Sequence, residues 1–412
     1  MQKPNEGSLA LVHPEFRSYL ISRFFFIIAL TMQATIISWQ VYDLTKDPFS
    51  IGMIGLVEFG PAFLMAFYSG HLIDRSDKRN ILLYSIIGNL VLTGVLCFIT
   101  SGYALNNFSQ RTVLIVIYCV VFGIGIMRSF SGPSSFALVS LLVPKHQLPN
   151  ATMWHSGSWQ VAAVSGPALA GLLYGLIGVT YTFYLMMLFM GIAVTGMIFI
   201  ANKPVPFEKR VESVVESVKQ GFRFVWKSKE ILGAMSLDLF AVLFGGATAL
   251  LPVFADQILH VGPEGLGMLR SAPALGSVLT LAILSIRPLK RNQGKLMMVC
   301  VAGFGVSIIL FGLSEIFWLS FIALFVAGIL DGISVIVRQT ILQLKTPDNM
   351  RGRVASLNSI FIMSSNELGS FESGVAAKLL GTVTAVVAGG CMTVGVVVVT
   401  WFKAPSLRKL QY

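Results

Sequence analysis

Charged residues are scarce in this chain of 412 residues, since Asp, Glu, Lys and Arg make up 12% of it while 55% is hydrophobic. Soluble proteins carry about 25% charged residues, and a soluble domain of this size needs polar side chains to cover its core. The composition therefore excludes a soluble globular protein and indicates that lipid surrounds most of the molecule.

Negative charge is scarcer than positive charge, with 19 acidic against 30 basic residues and a net charge of +11. In a soluble protein such an excess would suggest nucleic acid as a partner. In a membrane protein it is typical of loops that stay in the cytoplasm and face anionic headgroups. We therefore expect membrane lipids, and no nucleic acid, as partners.

The residue patterns of common catalytic sites are also missing. The four cysteines, Cys97, Cys119, Cys300 and Cys391, lie singly in apolar runs, and the five histidines have no metal-ligand spacing. No nucleophile–base set and no G-x-x-x-x-G-K-[ST] loop occurs. These absences argue against disulfides, a metal site, a cofactor, direct use of ATP and an enzymatic function.

Long apolar runs fill most of the chain, and a membrane-spanning helix needs about 20 such residues. They predict an all-α integral membrane protein with twelve transmembrane helices in two pseudo-symmetric six-helix bundles. The segments are 18–42, 50–70, 80–100, 111–133, 151–175, 178–201, 231–255, 264–286, 295–313, 316–340, 354–377 and 380–402.

The basic residues give the orientation of these segments. If the N-terminus is cytoplasmic, only Lys46, Arg111 and Lys378 fall in outer loops, whereas most of the 30 basic residues lie on the inner side. Such asymmetry follows the positive-inside rule. We expect both termini in the cytoplasm and a protein that acts as a monomer.

A hydrophilic stretch divides the chain into bundles 1–201 and 231–412 around a linker, 202–230. Within the linker, Val211, Val214, Val215, Val218, Phe222 and Val225 form one apolar stripe. The stripe predicts an amphipathic helix on the inner leaflet, or else a solvated linker helix. Two similar bundles suit a transporter that works by alternating access.

The loop after the second predicted helix combines an acid with several bases: Gly70, Leu72, Asp74, Arg75, Lys78 and Arg79. Gly70 would allow close helix packing. A carboxylate here can sit at the N-terminus of another helix, where the dipole stabilises it by up to ~2 kcal/mol. Such a contact, present in one conformation only, would act as a latch; an ordinary positive-inside loop is the alternative.

This loop resembles the signature loop of the major facilitator superfamily, G-x-L-x-D-R-x-G-R-R/K. Asp77 stands where that pattern has glycine, which leaves the tight turn in question. The resemblance implies that Asp74 latches a cytoplasmic gate against the eleventh helix, near Arg351 and Arg353.

Five carboxylates lie well within predicted helices, away from their ends: Glu58, Asp238, Asp331, Glu367 and Glu372. Charges at such depth are costly and are candidates for proton coupling. Asp331 could instead form an internal ion pair with Arg338, seven residues later on the same face. Glu367 and Glu372 have no basic residue nearby on their helix, which favours a functional role.

A substrate cavity between the two bundles would be lined by amide, aromatic and basic side chains, which suit a bulky, partly aromatic substrate. Each could equally make an interhelical hydrogen bond or anchor the interface. The candidates are Gln33, Trp39, Gln40, Arg128, Trp154, Gln160, Arg338 and Asn366.

Two further patterns resemble those of exporters, and close helix packing is the alternative explanation of the first. Gly166 to Gly171 resembles the Gly-Pro motif of antiporters in the superfamily, and the run Asp331 to Gly374, with Asp238 and Leu269-Arg270, resembles bacterial transmembrane secretion effectors of the enterobactin-exporter type. The resemblance implies siderophore or drug efflux at a bacterial inner membrane. We expect proton-coupled export of an amphipathic small molecule; a proton-coupled importer, a lipid flippase and a sensor without transport are the alternatives.

Overall fold

Helices make up the architecture throughout the part of the chain that the computed structural model describes, residues 10–203, 214–286, 289, 292–347 and 350–411. No strand occurs in these ranges, which confirms the all-α prediction. The helices are α1 Pro14–Thr45, α2 Pro48–Arg75, α3 Lys78–Ile99, α4 Gly102–Asn107, α5 Gln110–Leu142, α6 Leu148–Ile198, α7 Val214–Lys227, α8 Lys229–Gly245, α9 Leu251–Val253, α10 Gly262–Ile286, α11 Gln293–Leu313, α12 Phe317–Lys345, α13 Arg351–Leu380, α14 Thr382–Lys403 and α15 Pro405–Arg408.

Ten helical segments in the described ranges are long and apolar enough to cross a membrane. The sequence predicts twelve crossings, and two features account for the difference. Helix α6 covers two predicted segments on either side of non-helical backbone at Gly178, and α13 is not among the ten. The prediction of twelve crossings and of cytoplasmic termini stays a prediction.

Helix α6 changes direction at Gly178, whose φ of 79° lies in the left-handed region that glycine tolerates. Before this point the chain runs parallel to α1: His155 bonds Tyr19, and Tyr174 bonds Gln40. After it the direction along α1 is reversed, because Phe189 packs on Phe25 and the Ala193 carbonyl accepts a hydrogen bond from Ser22. The two parts of α6 are therefore antiparallel, as the segments 151–175 and 178–201 require.

Helix α13 has 30 residues, long enough to cross a bilayer, but it is polar for a spanning helix. Arg351, Arg353, Glu367, Glu372 and Lys378 all lie on it. Such residues are rare in lipid-exposed helices and mark packed or functional surfaces. The low apolarity of α13 thus follows from the residues that make it a candidate site.

Two compact units divide the chain, one of Met1–Gln40 and Gly60–Arg210, the other of Val41–Phe59 and Val211–Tyr412. Each has its own apolar core: Phe16, Leu138 and Met197 are among the buried residues of the first, and Met298 and Ile341 of the second. The segment Val41–Phe59, which contains the end of α1 and the first 12 residues of α2, therefore groups with the second unit, although it lies early in the sequence.

Helix α7 packs within the second unit. Val225 is buried in a cluster with residues of α8, α12 and α13, and Gly221 lies close to Leu357 and Arg353. Phe222 and Trp226 are exposed and stack on one another, with ring centroids 5.6 Å apart. The predicted stripe is thus split between a buried Val225 and an exposed Phe222. Val211 and the side chains of Val214, Val215 and Val218 lie outside the described residues.

Candidate functional site

The second unit brings together three charged residues from three helices. Arg270 of α10 lies within electrostatic reach of two carboxylates, Glu367 of α13 and Glu58 of α2. Each of the three side chains is partly buried. A guanidinium near two carboxylates from different helices is an arrangement in which protonation of either acid changes the local charge balance. We call these residues the Arg270 cluster.

The same helices cross closely beside this cluster. A Cβ on Gly55 would lie 2.5 Å from the Glu367 carbonyl oxygen, and a Cβ on Gly52 would lie 2.9 Å from the Gly374 Cα. Contacts this short leave no room for a side chain. The α2–α13 crossing therefore depends on small residues and sets the separation between Glu58 and Glu367.

Ionic contacts lie beyond this crossing, between the segment 41–59 and the rest of the second unit. The Lys46 ammonium lies 3.0 Å from Asp43 and 3.3 Å from Asp256, and Tyr42 donates a hydrogen bond to Asp256. Lys378 pairs with Asp47 at 3.1 Å. The side chains of the three ion pairs are 29–55% exposed, so each pair contributes little stability alone.

The predicted pairing of Asp331 with Arg338 is wrong. Arg338 forms its ion pair with Asp238 of α8, and both residues are buried. Nε of Arg338 has no hydrogen-bond partner among the described residues. Arg338 thus neutralises a carboxylate of a neighbouring helix inside the bundle, and neither residue of this pair is open to a substrate in this conformation.

The two remaining intrahelical carboxylates, Asp331 and Glu372, differ from the Asp238–Arg338 pair in having no ionic partner among the described residues. Both side chains are partly buried, and neither has a hydrogen-bond partner among those residues. Glu367, by contrast, has a basic neighbour on another helix, Arg270 of α10. The expectation concerned bases on α13 itself, so this contact does not contradict it, and a functional role for Glu367 and Glu372 stays a prediction.

The signature loop is held within the first unit. Asp77 caps α3 by accepting the Arg79 amide, and its other oxygen accepts the Lys203 amide at 2.9 Å. The Arg79 guanidinium donates to the carbonyls of Met197 and Ile198. At φ −64° and ψ 116°, Asp77 occupies ordinary extended backbone, so this turn does not need the glycine of the family pattern.

The other gate candidates differ in how exposed their side chains are. Arg75 and Arg351 are exposed, whereas Lys78 and Arg353 are partly buried. The side chain of Asp74 lies outside the described residues, so its role as a latch stays a prediction. The expectation of close packing at Gly70 is wrong for the described part of the chain, since a Cβ there would meet nothing within 4 Å.

Several cavity candidates are interhelical contacts instead. Gln33 is buried and donates to Thr93, and Gln40 is buried and donates to Tyr174. Trp39 is buried with its ring edge-on to Tyr174. In this conformation these three side chains are therefore buried in interhelical packing, and Oε1 of Gln33 has no hydrogen-bond partner among the described residues. That they line a cavity stays a prediction.

The remaining cavity candidates keep some accessible surface. Their side chains are exposed or partly buried, as a cavity lining requires, with Asn366 bonded to the Ile362 carbonyl of its own helix. They are Arg128, Trp154, Gln160 and Asn366.

Sequence reasoning missed Arg270 as the partner of two acids. It treated the acids helix by helix, whereas the cluster is assembled across α2, α10 and α13. It also did not single out Arg23, which lies well inside α1. An isolated Arg within an apolar run was the available signal in both cases.

Comparison with known protein families and with individual relatives assigns the chain to the same group of proteins. The sequence profile of the family described as transmembrane secretion effectors matches residues 7–411. The chain is 26% identical over 396 residues to the enterobactin exporter EntS of Escherichia coli O1:K1, covering 94% of this chain and 92% of that protein. It is 24% identical over 391 residues to EntS of Shigella dysenteriae, with the same coverage.

Solved structures share the fold. A POT family transporter in complex with 5-aminolevulinic acid superposes with a TM-score of 0.75 at 12% identity, covering 96% of this chain and 97% of that one. The nucleoside transporter NupG gives a TM-score of 0.69 at 14% identity, covering 96% and 99%. These matches confirm the recognition made from the sequence: the chain belongs to the transmembrane secretion effector family of the major facilitator superfamily.

Proposed function

We propose that this protein exports an amphipathic small molecule, siderophore-like or drug-like, in exchange for protons and by alternating access. Its relatives at 24–26% identity are enterobactin exporters, which supports export and a siderophore-sized substrate. The proposed setting is a bacterial inner membrane, crossed twelve times with both termini in the cytoplasm.

The observation that carries the coupling is the Arg270 cluster. With both carboxylates ionised, Arg270 balances only one of them, so a proton on Glu58 or Glu367 neutralises the cluster. Because Glu58 and Glu367 lie on the two helices of a close crossing, separation of α2 from α13 would pull one carboxylate away from Arg270. Proton uptake and opening of this crossing are thereby linked.

The Lys46 and Lys378 ion pairs fit this scheme as an outer gate. In the predicted orientation they lie on the periplasmic side, and both join the segment 41–59 to the rest of the second unit. Their exposed and individually weak contacts suit a gate that must open in every cycle.

The test is substrate-dependent proton movement in proteoliposomes with a pH dye inside and a panel of siderophores and amphipathic drugs outside. We expect Glu367→Gln and Glu58→Gln each to abolish substrate-driven proton flux, because each removes the excess charge. Glu315→Gln, an exposed acid between α11 and α12, is the matched control and should keep wild-type flux.

If wild-type protein moves substrate at the same rate with and without a pH gradient, proton coupling is overturned. Wild-type flux in both Gln variants would move the coupling site away from the Arg270 cluster. Net uptake driven by an inward proton gradient would select the importer instead.

A further inference from the structure

The first unit contains a small polar cavity that the Arg270 cluster does not involve. Its volume is about 200 Å³, and α1, α3, α5 and α6 supply its walls. The larger neighbouring groove, about 660 Å³, has a mostly apolar lining without a charged side chain. The residues that give the smaller cavity its chemistry are Tyr19, Arg23, Phe26, Ser135, His155 and Trp159.

Arg23 supplies a positive charge that no acid balances. Its Nη1 donates to the Ser135 hydroxyl at 2.7 Å, and its Nε lies 3.4 Å from the His155 carbonyl. No carboxylate pairs with it among the described residues. A partly buried guanidinium with only neutral partners favours an anion in the adjoining space.

A chain of hydrogen bonds along the cavity wall connects Arg23 through Ser135 and Tyr19 to His155. Because the Ser135 hydroxyl oxygen accepts from Arg23, its own proton is free for the Tyr19 oxygen, 2.7 Å away. The Tyr19 hydroxyl has two acceptors within reach, Nδ1 of His155 at 2.8 Å and the Ser135 carbonyl oxygen at 3.0 Å, and we assign its proton to the nearer one, Nδ1. This order places the remaining imidazole proton on Nε2, which has no partner among the described residues and can donate to a bound anion.

The other walls of the cavity are aromatic. Trp159, which lines the cavity, is 48% exposed, and Phe26, which also lines it, is buried. Aromatic side chains bind planar rings by stacking. The volume is below the 300–1,000 Å³ typical of sites that enclose a whole drug-sized ligand, so it suits one ring with its charged substituent.

From this geometry we infer that the cavity binds a planar aromatic anion of benzoate size, as the recognised part of a larger exported molecule. Arg23 and Nε2 of His155 hold the anionic group, and Trp159 holds the ring. The role in export rests on the proposed function, whereas anion binding does not.

The experiment measures benzoate binding to the purified full-length protein in detergent by saturation-transfer NMR or calorimetry, without a proton gradient. We expect wild type to bind benzoate, and benzyl alcohol or benzylamine at least about tenfold more weakly, since they lack the anion. Arg23→Gln should lose benzoate binding by a similar factor, and Tyr19→Phe should weaken it through loss of the His155 orientation.

Arg17→Gln is the matched control, because Arg17 is an exposed cation on the same helix, outside the cavity lining; it should bind like wild type. Thermal unfolding of each variant separates lost binding from lost folding. If Arg23→Gln does not fold, the charge-retaining Arg23→Lys and the Trp159→Leu variant provide the test, and both should bind more weakly than wild type.

Equal affinity for benzoate and benzyl alcohol, or wild-type binding in folded Arg23→Gln or Trp159→Leu protein, would overturn the inference. If Glu367→Gln binds benzoate but moves no substrate, both proposals stand. Arg23-dependent binding in a protein that never moves a solute would leave the anion site intact while the proposed export fails.

Discussion

Individual charged residues in this protein are explained by contacts across helices rather than along them. Asp331 and Arg338 share one face of α12, roughly 10 Å apart along its axis, yet Arg338 does not pair with this acid. The partner is Asp238 on α8. A sequence shows which residues share a helical face, but in a chain that is apolar on all sides it does not show which faces meet.

The buried Asp238–Arg338 pair makes a stability prediction. Arg338→Met leaves an uncompensated carboxylate among apolar side chains, and we expect a loss of about 3–5 kcal/mol. The double variant Asp238→Leu/Arg338→Met should recover most of it. Thermal unfolding in detergent measures both, with Lys345→Met at the exposed end of α12 as the control. A double variant no more stable than Arg338→Met would contradict a role confined to charge compensation.

Lys46 makes a prediction about pH. The hydrogen bond with Asp43 raises the pKa of Lys46 above its ordinary 10.5. A base whose pKa is higher in the folded protein than in the unfolded one stabilises the folded state. This stabilisation is fully present below the unfolded pKa and is lost only as the pH rises through the folded pKa. This contact should therefore not change between about pH 6 and 9.

We expect Lys46→Met to keep the wild-type shape of the pH–transport profile over this range, even if its rate changes. The measurement is the initial rate of substrate-driven flux at several pH values. A profile shifted in Lys46→Met, but not in Glu315→Gln, would mean that Lys46 influences the groups that titrate.

At the scale of whole helices, the α2–α13 crossing decides how closely the acids of the Arg270 cluster approach. Glu58 and Glu367 were both predicted as functional acids, but the glycine contacts that bring their helices together depend on packing between segments far apart in the sequence. In the sequence alone, nothing distinguishes the glycines of this crossing from other small residues: Gly52, Gly55 and Gly374.

Substitution at this crossing should shift the protein toward an open α2–α13 contact. In Gly374→Ala, the new Cβ would meet the Gly52 Cα at 2.7 Å, so the helices must separate. We expect faster labelling of a Ser370→Cys reporter, in a background without other cysteines, by a membrane-impermeant maleimide. Gly60→Ala on α2 is the control, since its Cβ meets nothing within 4 Å. Equal labelling rates in Gly374→Ala and Gly60→Ala would argue against a tight crossing.

For the whole molecule, the sequence predicted the helices well because apolar run length alone determines where a membrane helix can lie. The segment 264–286 corresponds to α10, Gly262–Ile286, and 295–313 to α11, Gln293–Leu313. The grouping of Val41–Phe59 with the second unit could not be predicted, because hydropathy carries no information about which segments pack together.

The orientation can be measured directly. We expect a fluorescent protein fused after Tyr412 to be bright and alkaline phosphatase fused there to be inactive, because the C-terminus is predicted to be cytoplasmic. Phosphatase fused after Asn107, in the predicted outer loop before Arg111, should be active. The reverse pattern at both positions would invert the topology and exchange the inner and outer gates.

The α2–α13 crossing also constrains how the protein is made. Gly374 leaves the ribosome roughly 320 residues after Gly52, a delay of about 15–65 s at ordinary rates of synthesis. During that interval the early part of α2 is already in the membrane without the helix it packs against. Biogenesis of this protein therefore includes a waiting period in which an insertase, a chaperone or lipid must shield one face of its second helix.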